Sequence, residues 1–201
     1  MSKIKICGLS RAEDIDAVNS ALPDYIGFVF APSRRMVDIK TAAMLKEKLD
    51  SRIIAVGVFV NESAEDVAEI YKSSIIDLIQ LHGDEDARYI RRLKDNCGCS
   101  VIKAVGVGGA LSSLPVEPDY LLFDTLSEQR GGTGRPFDWN IIKKYRGLPF
   151  FISGGLSTRN VADSIRLLAP YCVDVSSGVE TDGRKDMDEI EKFVYTVRGI
   201  K

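Results

Sequence analysis

Short, almost uninterrupted apolar runs recur eight times along the chain, and this repetition restricts the possible folds more than any other sequence feature. The runs are KIKIC (3–7), YIGFVF (25–30), IIAVGVFV (53–60), IIDLIQL (75–81), SVIKAV (100–105), YLLFD (120–124), PFFIS (149–153) and CVDVSS (172–177). Runs that are apolar at nearly every position are typical of parallel strands covered on both faces. The sequence therefore predicts eight parallel strands.

Amphipathic helical patterns separate these runs, and several begin with a residue that can cap a helix. Ser10 stands three residues before Glu13, the spacing of a capping box, and Ser63 stands three residues before Asp66. Ser157 can cap a later helix in the same way. The last helix is predicted from apolar residues spaced by three and four, at Met187, Ile190, Phe193, Val194 and Val197. The weakest pattern follows the fifth run, where GVGGALSSLPVEP is short and rich in glycine.

Strand and helix alternate without a linker or low-complexity segment, which predicts one α/β domain over residues 1–201. Eight units favour a single-domain (β/α)8 TIM barrel, and the chain lies near the lower size limit of that fold, roughly 200 residues. An open doubly wound sheet is the alternative. That fold would carry G-x-G-x-x-G after the first strand, where this chain has CGLSRAED.

Charge and hydropathy exclude several classes of partner. The 27 basic and 29 acidic residues give a net charge of −2, which does not favour nucleic acid or a membrane surface. No apolar run approaches the roughly 18 residues that span a bilayer, and MSKIKICGLS lacks the apolar core of a secretory signal. We therefore expect a cytoplasmic protein that binds neither nucleic acid nor membrane.

The four cysteines are expected to be free thiols, as is usual inside cells. They are Cys7, Cys97, Cys99 and Cys172. The two cysteines of CGC at 97–99 could be a pair of metal ligands, but no second cysteine pair follows and the chain has one histidine. The spacing rules for zinc therefore predict no metal site.

In a TIM barrel, the active site is built at the carboxyl ends of the strands, so the residues there are the candidates for chemistry. Two serine–glycine turns, SGGLSTRN and SSGVETDG, follow the seventh and eighth runs. Their candidate ligand-binding residues are Gly154, Gly155, Ser177 and Gly178. Glycines allow close approach of the backbone, whose N–H groups can hold an anion. Glycines can also simply make tight turns, but two adjacent turns favour a phosphorylated small molecule.

Asp124 and Cys7 are the candidates for proton transfer. A carboxyl group acts as an acid near neutrality when its surroundings favour the neutral form. A thiol titrates near about 8.5, so Cys7 would need a nearby positive charge or helix N-terminus to act as a base. Asp124 could instead cap a helix or pair with Arg130 or Arg135, and Cys7 could simply fill the barrel mouth.

His82 and Asp174 are open to both structural and catalytic interpretations. Taken alone, a histidine such as His82 is more often a structural hydrogen-bonding group. Asp174 alternates with Ser176 on the eighth run, so it can point into the barrel as a structural or a catalytic group.

The chain resembles the phosphoribosylanthranilate isomerase family of tryptophan biosynthesis from the first run to the eighth. The stretches that carry the resemblance are KICGL, GFVFAPSRR, VGVFVN, IQLHGDE, VIKAV, LLFDT…GGTGRPFDW, ISGGLSTRNV and VDVSSGVE. One departure is Met36 after Arg35, where an aromatic residue is frequent. This departure affects packing near the substrate's aromatic ring and removes no reacting group.

The resemblance implies a cofactor-free Amadori rearrangement of N-(5-phosphoribosyl)anthranilate, with Asp124 as general acid and Cys7 as general base. It also implies that Arg35 pairs with the anthranilate carboxylate while Arg34 is solvated, and that the serine–glycine turns hold the ribose phosphate. His82 is then expected to support the site next to Cys7 or Asp124.

Two other functions remain possible at this point. The related aminoaldose isomerase of histidine biosynthesis usually has aspartates at strand ends one and five, where this chain has Cys7 and Val105. A non-catalytic barrel that binds a phosphometabolite would keep the serine–glycine turns and could lose Cys7 or Asp124. The sequence leaves open whether the protein is a monomer or a homodimer.

Overall fold

Eight parallel strands pair in chain order and close into a barrel, which confirms the predicted TIM barrel. The computed structural model describes residues 1–108, 111, 114–126 and 136–200. The strands are β1 (Lys3–Cys7), β2 (Tyr25–Val29), β3 (Ile54–Phe59), β4 (Leu78–Leu81), β5 (Val101–Val107), β6 (Tyr120–Thr125), β7 (Phe150–Ile152) and β8 (Cys172–Val175). The barrel closes where β1 pairs with β8, in a register that places Lys5 beside Asp174.

Six α-helices cover the barrel in the described part of the chain. They are α1 (Ala12–Ala21), α2 (Ile39–Lys48), α3 (Ala64–Lys72), α4 (Ala87–Cys97), α5 (Val161–Leu168) and α6 (Met187–Arg198). Between β5 and β6 the described residues contain no helix, which agrees with the weak pattern there. Between β6 and β7 they form one 3-10 turn, Trp139–Ile141.

Two strands are shorter than their apolar runs. β4 begins at Leu78, one residue after Asp77. The Asp77 carboxylate instead accepts a hydrogen bond from the backbone N–H of Ala55 at 2.8 Å. β8 ends at Val175 because Ser176 leaves the ladder, and Ser177 begins a 3-10 turn, Ser177–Val179. The apolar character of a run thus extends into the flanking turns.

The helix caps follow the sequence prediction only in part. Ser63 caps α3 as predicted, since its hydroxyl oxygen accepts a hydrogen bond from the N–H of Asp66 at 3.1 Å. The capping box at Ser10 and Glu13 is wrong. α1 begins one residue later, and the carboxylate of Asp14 accepts from the N–H groups of Ser10 at 2.9 Å and Arg11 at 3.1 Å.

The cap predicted at Ser157 is also wrong. Helix α5 begins after Asn160, and Ser157 instead starts a turn in which its N–H donates to the Asn160 side chain at 2.9 Å. At the other end of the chain, the predicted apolar face of α6 is confirmed at Ile190, Phe193, Val194 and Val197. Met187 is 45% exposed because it lies in the first turn.

Alternation along each strand separates two packed layers. On β4, Ile79 packs outward against the helices, whereas Leu78 faces the inside of the barrel. Residues in equivalent positions form an apolar floor within the barrel, namely Tyr25, Val56, Leu78, Ile102, Leu122, Phe151 and Cys172. Two residues further along β4, β6 and β8 the same face carries Gln80, Asp124 and Asp174. The fold thus places a buried polar layer above the floor, at the carboxyl ends of the strands.

A small hairpin follows β8 and lies over this mouth. Its antiparallel strands are β9 (Glu180–Thr181) and β10 (Arg184–Lys185). The predicted free thiols are confirmed for all four cysteines. Among the described residues, no helix is long and apolar enough to cross a membrane, and no three His, Cys, Asp or Glu side chains are grouped to hold a metal ion.

Candidate active site

Asp124 ends its strand inside the mouth and is held on both carboxylate oxygens. The N–H of Thr125 donates to Oδ1 at 2.7 Å, and His82 Nε2 lies 3.3 Å from Oδ2. Asp124 is itself part of β6, and it caps none of the helices that the structure describes. Its expected alternative partners, Arg130 and Arg135, lie outside the described residues. Of the two places expected for His82, the structure gives the one beside Asp124.

His82 is held from behind by Gln80. Each nitrogen of the His82 ring has a close partner. Gln80 Nε2 lies 3.0 Å from Nδ1, and Asp124 Oδ2 lies 3.3 Å from Nε2. Gln80 is buried, and its Oε1 has no hydrogen-bond partner among the described residues. The sequence interpretation did not include Gln80, although its position two residues before His82 in a period-two pattern signals a shared strand face.

Cys7 lies on the opposite side of the mouth, next to a buried ion pair. Lys5 Nζ is 2.9 Å from Asp174 Oδ2, and both side chains are almost completely buried. The charge of Lys5 also acts on the Cys7 thiol and favours its ionised form. Lys5 was missed by sequence reasoning, although it shares an inward strand face with Cys7 two residues later. The positive charge that Cys7 requires is thus supplied from its own strand.

Burial and charge act against each other on these three groups. Burial raises the pKa of the Cys7 thiol, and the positive charge of Lys5 opposes that rise without cancelling it. Burial also raises the pKa of Asp174 against the opposing effect of Lys5. Burial would lower the pKa of Lys5, but Asp174 and Cys7 outweigh it and the pKa is raised. Lys5 is therefore a permanently charged group within the barrel.

Asp174 connects the two sides of the mouth. Its Oδ2 pairs with Lys5, while its charge also interacts with Asp124 and with His82. Its Oδ1 is buried and has no partner among the described residues. Because an unpartnered buried carboxylate oxygen is costly, this atom is suited to accept a hydrogen bond from a ligand.

Arg35 lies at the rim, in a cluster of three cations around one carboxylate. Its Nε and Nη2 donate to Glu180 at 2.7 and 3.2 Å, and Lys185 Nζ donates to the same carboxylate at 2.8 Å. Arg34 also pairs with Glu180, so its expected solvation is met only in that the side chain is 52% exposed. Three cations around one anion leave net positive charge at the rim.

Glu180 stays ionised in this cluster. Burial alone would raise its pKa, but hydrogen bonds from Arg35, Lys185 and Arg34 outweigh burial and lower the pKa to about 2. Lys185 also reaches the Cys7 side of the mouth, since its Nζ donates to the Ser176 carbonyl at 2.9 Å and Ser176 Oγ donates to the Cys7 carbonyl at 2.8 Å. Glu180 and Lys185 were not identified from sequence, because their role depends on the hairpin folding back over β1.

The two serine–glycine turns lie side by side after β7 and β8. A Cβ added at Gly178 would lie 1.9 Å from the carbonyl oxygen of Leu156, so this close backbone approach requires glycine. Gly154 and Gly155 have positive φ angles of 84° and 63°. A Cβ at Gly154 would lie 2.9 Å from Asp124 Oδ1, so the first turn touches the candidate acid. Ser177 begins the 3-10 turn of the second.

Three comparisons with known proteins agree with this geometry. A family model described as N-(5'phosphoribosyl)anthranilate (PRA) isomerase matches residues 4–196. An N-(5'-phosphoribosyl)anthranilate isomerase from Endomicrobium trichonymphae is 47% identical over 201 residues, covering all of both chains. The crystal structure of phosphoribosyl anthranilate isomerase from Thermotoga maritima superimposes with a TM-score of 0.86 and is 34% identical, covering 99% of this chain and 100% of that one.

A further solved structure contains a bound molecule. It is a phosphoribosyl anthranilate isomerase in complex with reduced 1-(o-carboxyphenylamino)-1-deoxyribulose 5-phosphate. It has a TM-score of 0.84 and 34% identity, and covers 99% of this chain and 100% of that one. The barrel, the residues at its mouth and these likenesses lead to one conclusion: the chain belongs to the N-(5'-phosphoribosyl)anthranilate isomerase family.

Proposed function

We propose that this chain catalyses the Amadori rearrangement of N-(5'-phosphoribosyl)anthranilate to 1-(2-carboxyphenylamino)-1-deoxyribulose 5-phosphate, without a cofactor. The observation that carries the proposal is the pair formed by Asp124 and Cys7 on opposite sides of one mouth. Asp174 and Lys5 lie between them. An aminoaldose that spans this mouth meets a carboxyl group on one side and a thiol on the other.

The acid step belongs to Asp124. Protonated Asp124 gives its proton to the furanose ring oxygen, and the bond between that oxygen and C1 breaks. The lone pair of the anthranilate nitrogen on C1 then forms the C=N bond of the Schiff base. Asp124 leaves this step as a carboxylate, the form that His82 and the Thr125 N–H are placed to stabilise.

The base step belongs to Cys7. Its thiolate removes the C2 proton, and the C2–H electrons form the C1–C2 double bond as the imine nitrogen becomes neutral. The resulting enolamine then tautomerises to the ketone. Lys5 supplies a charge that favours the thiolate, and Lys185 is a second cation whose charge acts in the same direction.

The rim cluster and the turns give the substrate its direction. Glu180 occupies the Nε and Nη2 side of Arg35, and we assign the remaining Nη1 edge to the anthranilate carboxylate. The turns with Gly154, Gly155, Ser177 and Gly178 receive the ribose phosphate. Asp174 Oδ1 accepts a hydrogen bond from a sugar hydroxyl.

We extend the proposal to the whole chain. We take residues 1–201 as one barrel domain; in the described part of the chain the barrel strands run from Lys3 to Val175 and α6 ends at Arg198. The enzyme works in the cytoplasm on a phosphorylated small molecule, as a monomer or a homodimer, without nucleic acid. The end of β5 carries Val105 and Gly106 in place of a carboxylate, which disfavours the aminoaldose isomerase of histidine biosynthesis.

The test is turnover of freshly generated N-(5'-phosphoribosyl)anthranilate, followed by loss of its fluorescence. General acid and general base catalysis each contribute about 10²–10⁴-fold, so Asp124→Asn and Cys7→Ser should lower kcat by that factor. Both should still bind the reduced product analogue. Asp95→Asn and Cys97→Ser, near the C-terminal end of α4, are matched controls away from the mouth and should keep wild-type rates. A folded wild type that binds the analogue but turns nothing over would refute the isomerase.

A further inference from the structure

Gln80 is the uncharged member of the buried polar layer that it forms with Asp124 and Asp174. It lies on the inner face of β4, directly above the apolar floor, and is 2% exposed. Within the described ranges, its side chain makes one hydrogen bond, to His82 Nδ1 at 3.0 Å. Its Oε1 is buried without a partner in the described part of the chain. A buried amide held only by the ring of His82 requires an explanation beyond packing.

Gln80, His82 and Asp124 are linked in series by hydrogen bonds. Which atom donates and which accepts in these bonds depends on one proton. When Asp124 is a carboxylate and His82 is neutral, Nε2 must carry the ring hydrogen in order to donate to Asp124. Nδ1 is then a lone pair, and Gln80 has to present its NH2 group.

The opposite arrangement holds when the pair carries one more proton. That proton lies either on Asp124, which then donates to Nε2, or on the ring as imidazolium. In both cases Nδ1 carries a hydrogen, and Gln80 has to present Oε1 as the acceptor. A half-turn of the amide converts one arrangement into the other. Because Oε1 has no other partner among the described residues, the half-turn breaks no second hydrogen bond.

We propose that Gln80 is a positioning residue whose amide turns with the proton held by the His82–Asp124 pair, so that the acid can be reloaded after each turnover. The inference rests on the proposed role of Asp124 as general acid. Asp124 has to begin each cycle protonated and end it ionised. A neutral amide can donate to the one state and accept from the other, whereas a side chain that only donates or only accepts would stabilise one of them.

Several charged groups share this environment. Asp174 on β8 interacts with both His82 and Asp124, and it is paired with Lys5, which also contacts Cys7 on β1. Just after His82 in the chain, the carbonyl of Gly83 accepts from Lys103 of β5 at 2.6 Å, and Lys103 pairs with Glu85 at 2.9 Å. Gln80 adds no charge to this set, so its effect comes from donor and acceptor exchange.

The experiment uses the fact that His82 is the one histidine in the chain, so its ring nitrogens can be observed by 15N NMR without assignment. In the wild type, the neutral ring should be protonated at Nε2 at high pH and gain the Nδ1 hydrogen as the pH falls. Gln80→Glu can only accept and should move the midpoint of this transition upward by at least about one pH unit. Gln80→Met has similar length and neither donates nor accepts. A hydrogen on the buried Nδ1 then lacks an acceptor, which costs more than a lone pair without a donor, so the midpoint should move downward and the tautomer preference should weaken.

Ile79→Val is the matched control, because Ile79 is equally buried on the same strand but faces the helices. It should leave the ring signals unchanged. Opposite movements of the midpoint in the two Gln80 variants support the proposal; no movement, or movement in the same direction, overturns it. If Gln80→Glu does not fold, Gln80→Met decides alone, and a wild-type midpoint and tautomer in that variant overturn the proposal.

Kinetics separate this inference from the proposed function. Gln80→Met should lower kcat by about tenfold, a part of the effect of the acid itself, with KM almost unchanged. The pH at which kcat declines on the alkaline side should shift together with the NMR midpoint in each variant. If the wild type has no isomerase activity, the proposed function fails while the ring signals still test Gln80. If activity is present and the ring ignores Gln80, the inference fails alone.

Discussion

Lys5 and Asp174 face each other in register across the seam of the barrel, with Nζ and Oδ2 2.9 Å apart and both side chains buried. Removal of one partner should leave the other as a buried charge without a counter-charge. We expect Lys5→Met to lower the free energy of unfolding by about 3–5 kcal/mol, measured by urea denaturation. The double variant Lys5→Met/Asp174→Leu should recover much of this loss. Lys192→Met, which breaks the exposed pair with Glu189, is the control and should change stability little. Equal losses in the buried and the exposed variant would contradict the prediction.

The reactivity of Cys7 should depend on pH in a defined direction. Burial raises the pKa of the thiol above its ordinary value, so the thiolate fraction is small near neutrality and increases with pH. The rate of alkylation of Cys7 by iodoacetamide should therefore keep rising on the alkaline side of neutrality. Lys5 opposes the rise in the pKa of Cys7, so Lys5→Met should move the alkylation profile to higher pH. Subtraction of the Cys7→Ser signal removes the other three thiols, and a profile unchanged in Lys5→Met would argue against the proposed role of Lys5.

Gly178→Ala should weaken phosphate binding by separating the two turns. The added Cβ would lie 1.9 Å from the Leu156 carbonyl oxygen, so one backbone segment has to move. We expect KM to rise by at least about tenfold, or roughly 1.4 kcal/mol of binding free energy, with a smaller change in kcat. Gly98→Ala is the control for stability alone. Its φ of +63° makes alanine cost about 1–2 kcal/mol, but it lies at the end of α4 with open space around it. A KM that rises equally in both variants would show a general loss of stability.

Glu180 should stabilise the fold above mildly acidic pH and lose this effect in acid. Its pKa falls from an ordinary 4.5 to about 2 in the folded protein, so its contribution is present above about 4.5 and disappears as the pH falls through about 2. The full shift corresponds to roughly 3 kcal/mol, and the exposure of Arg34 reduces this to about 2 kcal/mol. Thermal unfolding between pH 6 and pH 2 should show a steeper loss of Tm in the wild type than in Glu180→Gln. Parallel curves would contradict the prediction.

The strands and the reacting residues could be predicted because each depends on a local pattern. A run such as YLLFD is apolar because both faces of its strand are covered, and its terminal Asp124 then has to lie at the mouth. The same rule placed Cys7 and the serine–glycine turns. Cap positions were less certain, since Asp14 and not Glu13 reaches back to the N–H groups of Ser10 and Arg11, and this difference of one residue decides where α1 begins.

The partners of the reacting residues could not be predicted because they come from distant segments. Lys5 meets Asp174 only after the barrel closes, and Arg35 meets Glu180 only after the hairpin folds over the mouth. Gln80 is the exception, since its proximity to His82 follows from period two along one segment. What the pattern lacked was a reason to expect a polar side chain directly above an apolar floor.

The pairing of β1 with β8 also has a consequence for synthesis of the protein. The positive charge beside Cys7 is balanced by a carboxylate 169 positions later in the chain, on the last strand of the barrel. A nascent chain that has emerged only as far as β7 therefore has its thiol and its acid but an unpaired lysine at the open seam. The environment of Cys7 is complete only when the first strand meets the last, so catalytic competence should arise in one step, late in translation. An N-terminal fragment that ends before β8 should therefore have no partial activity.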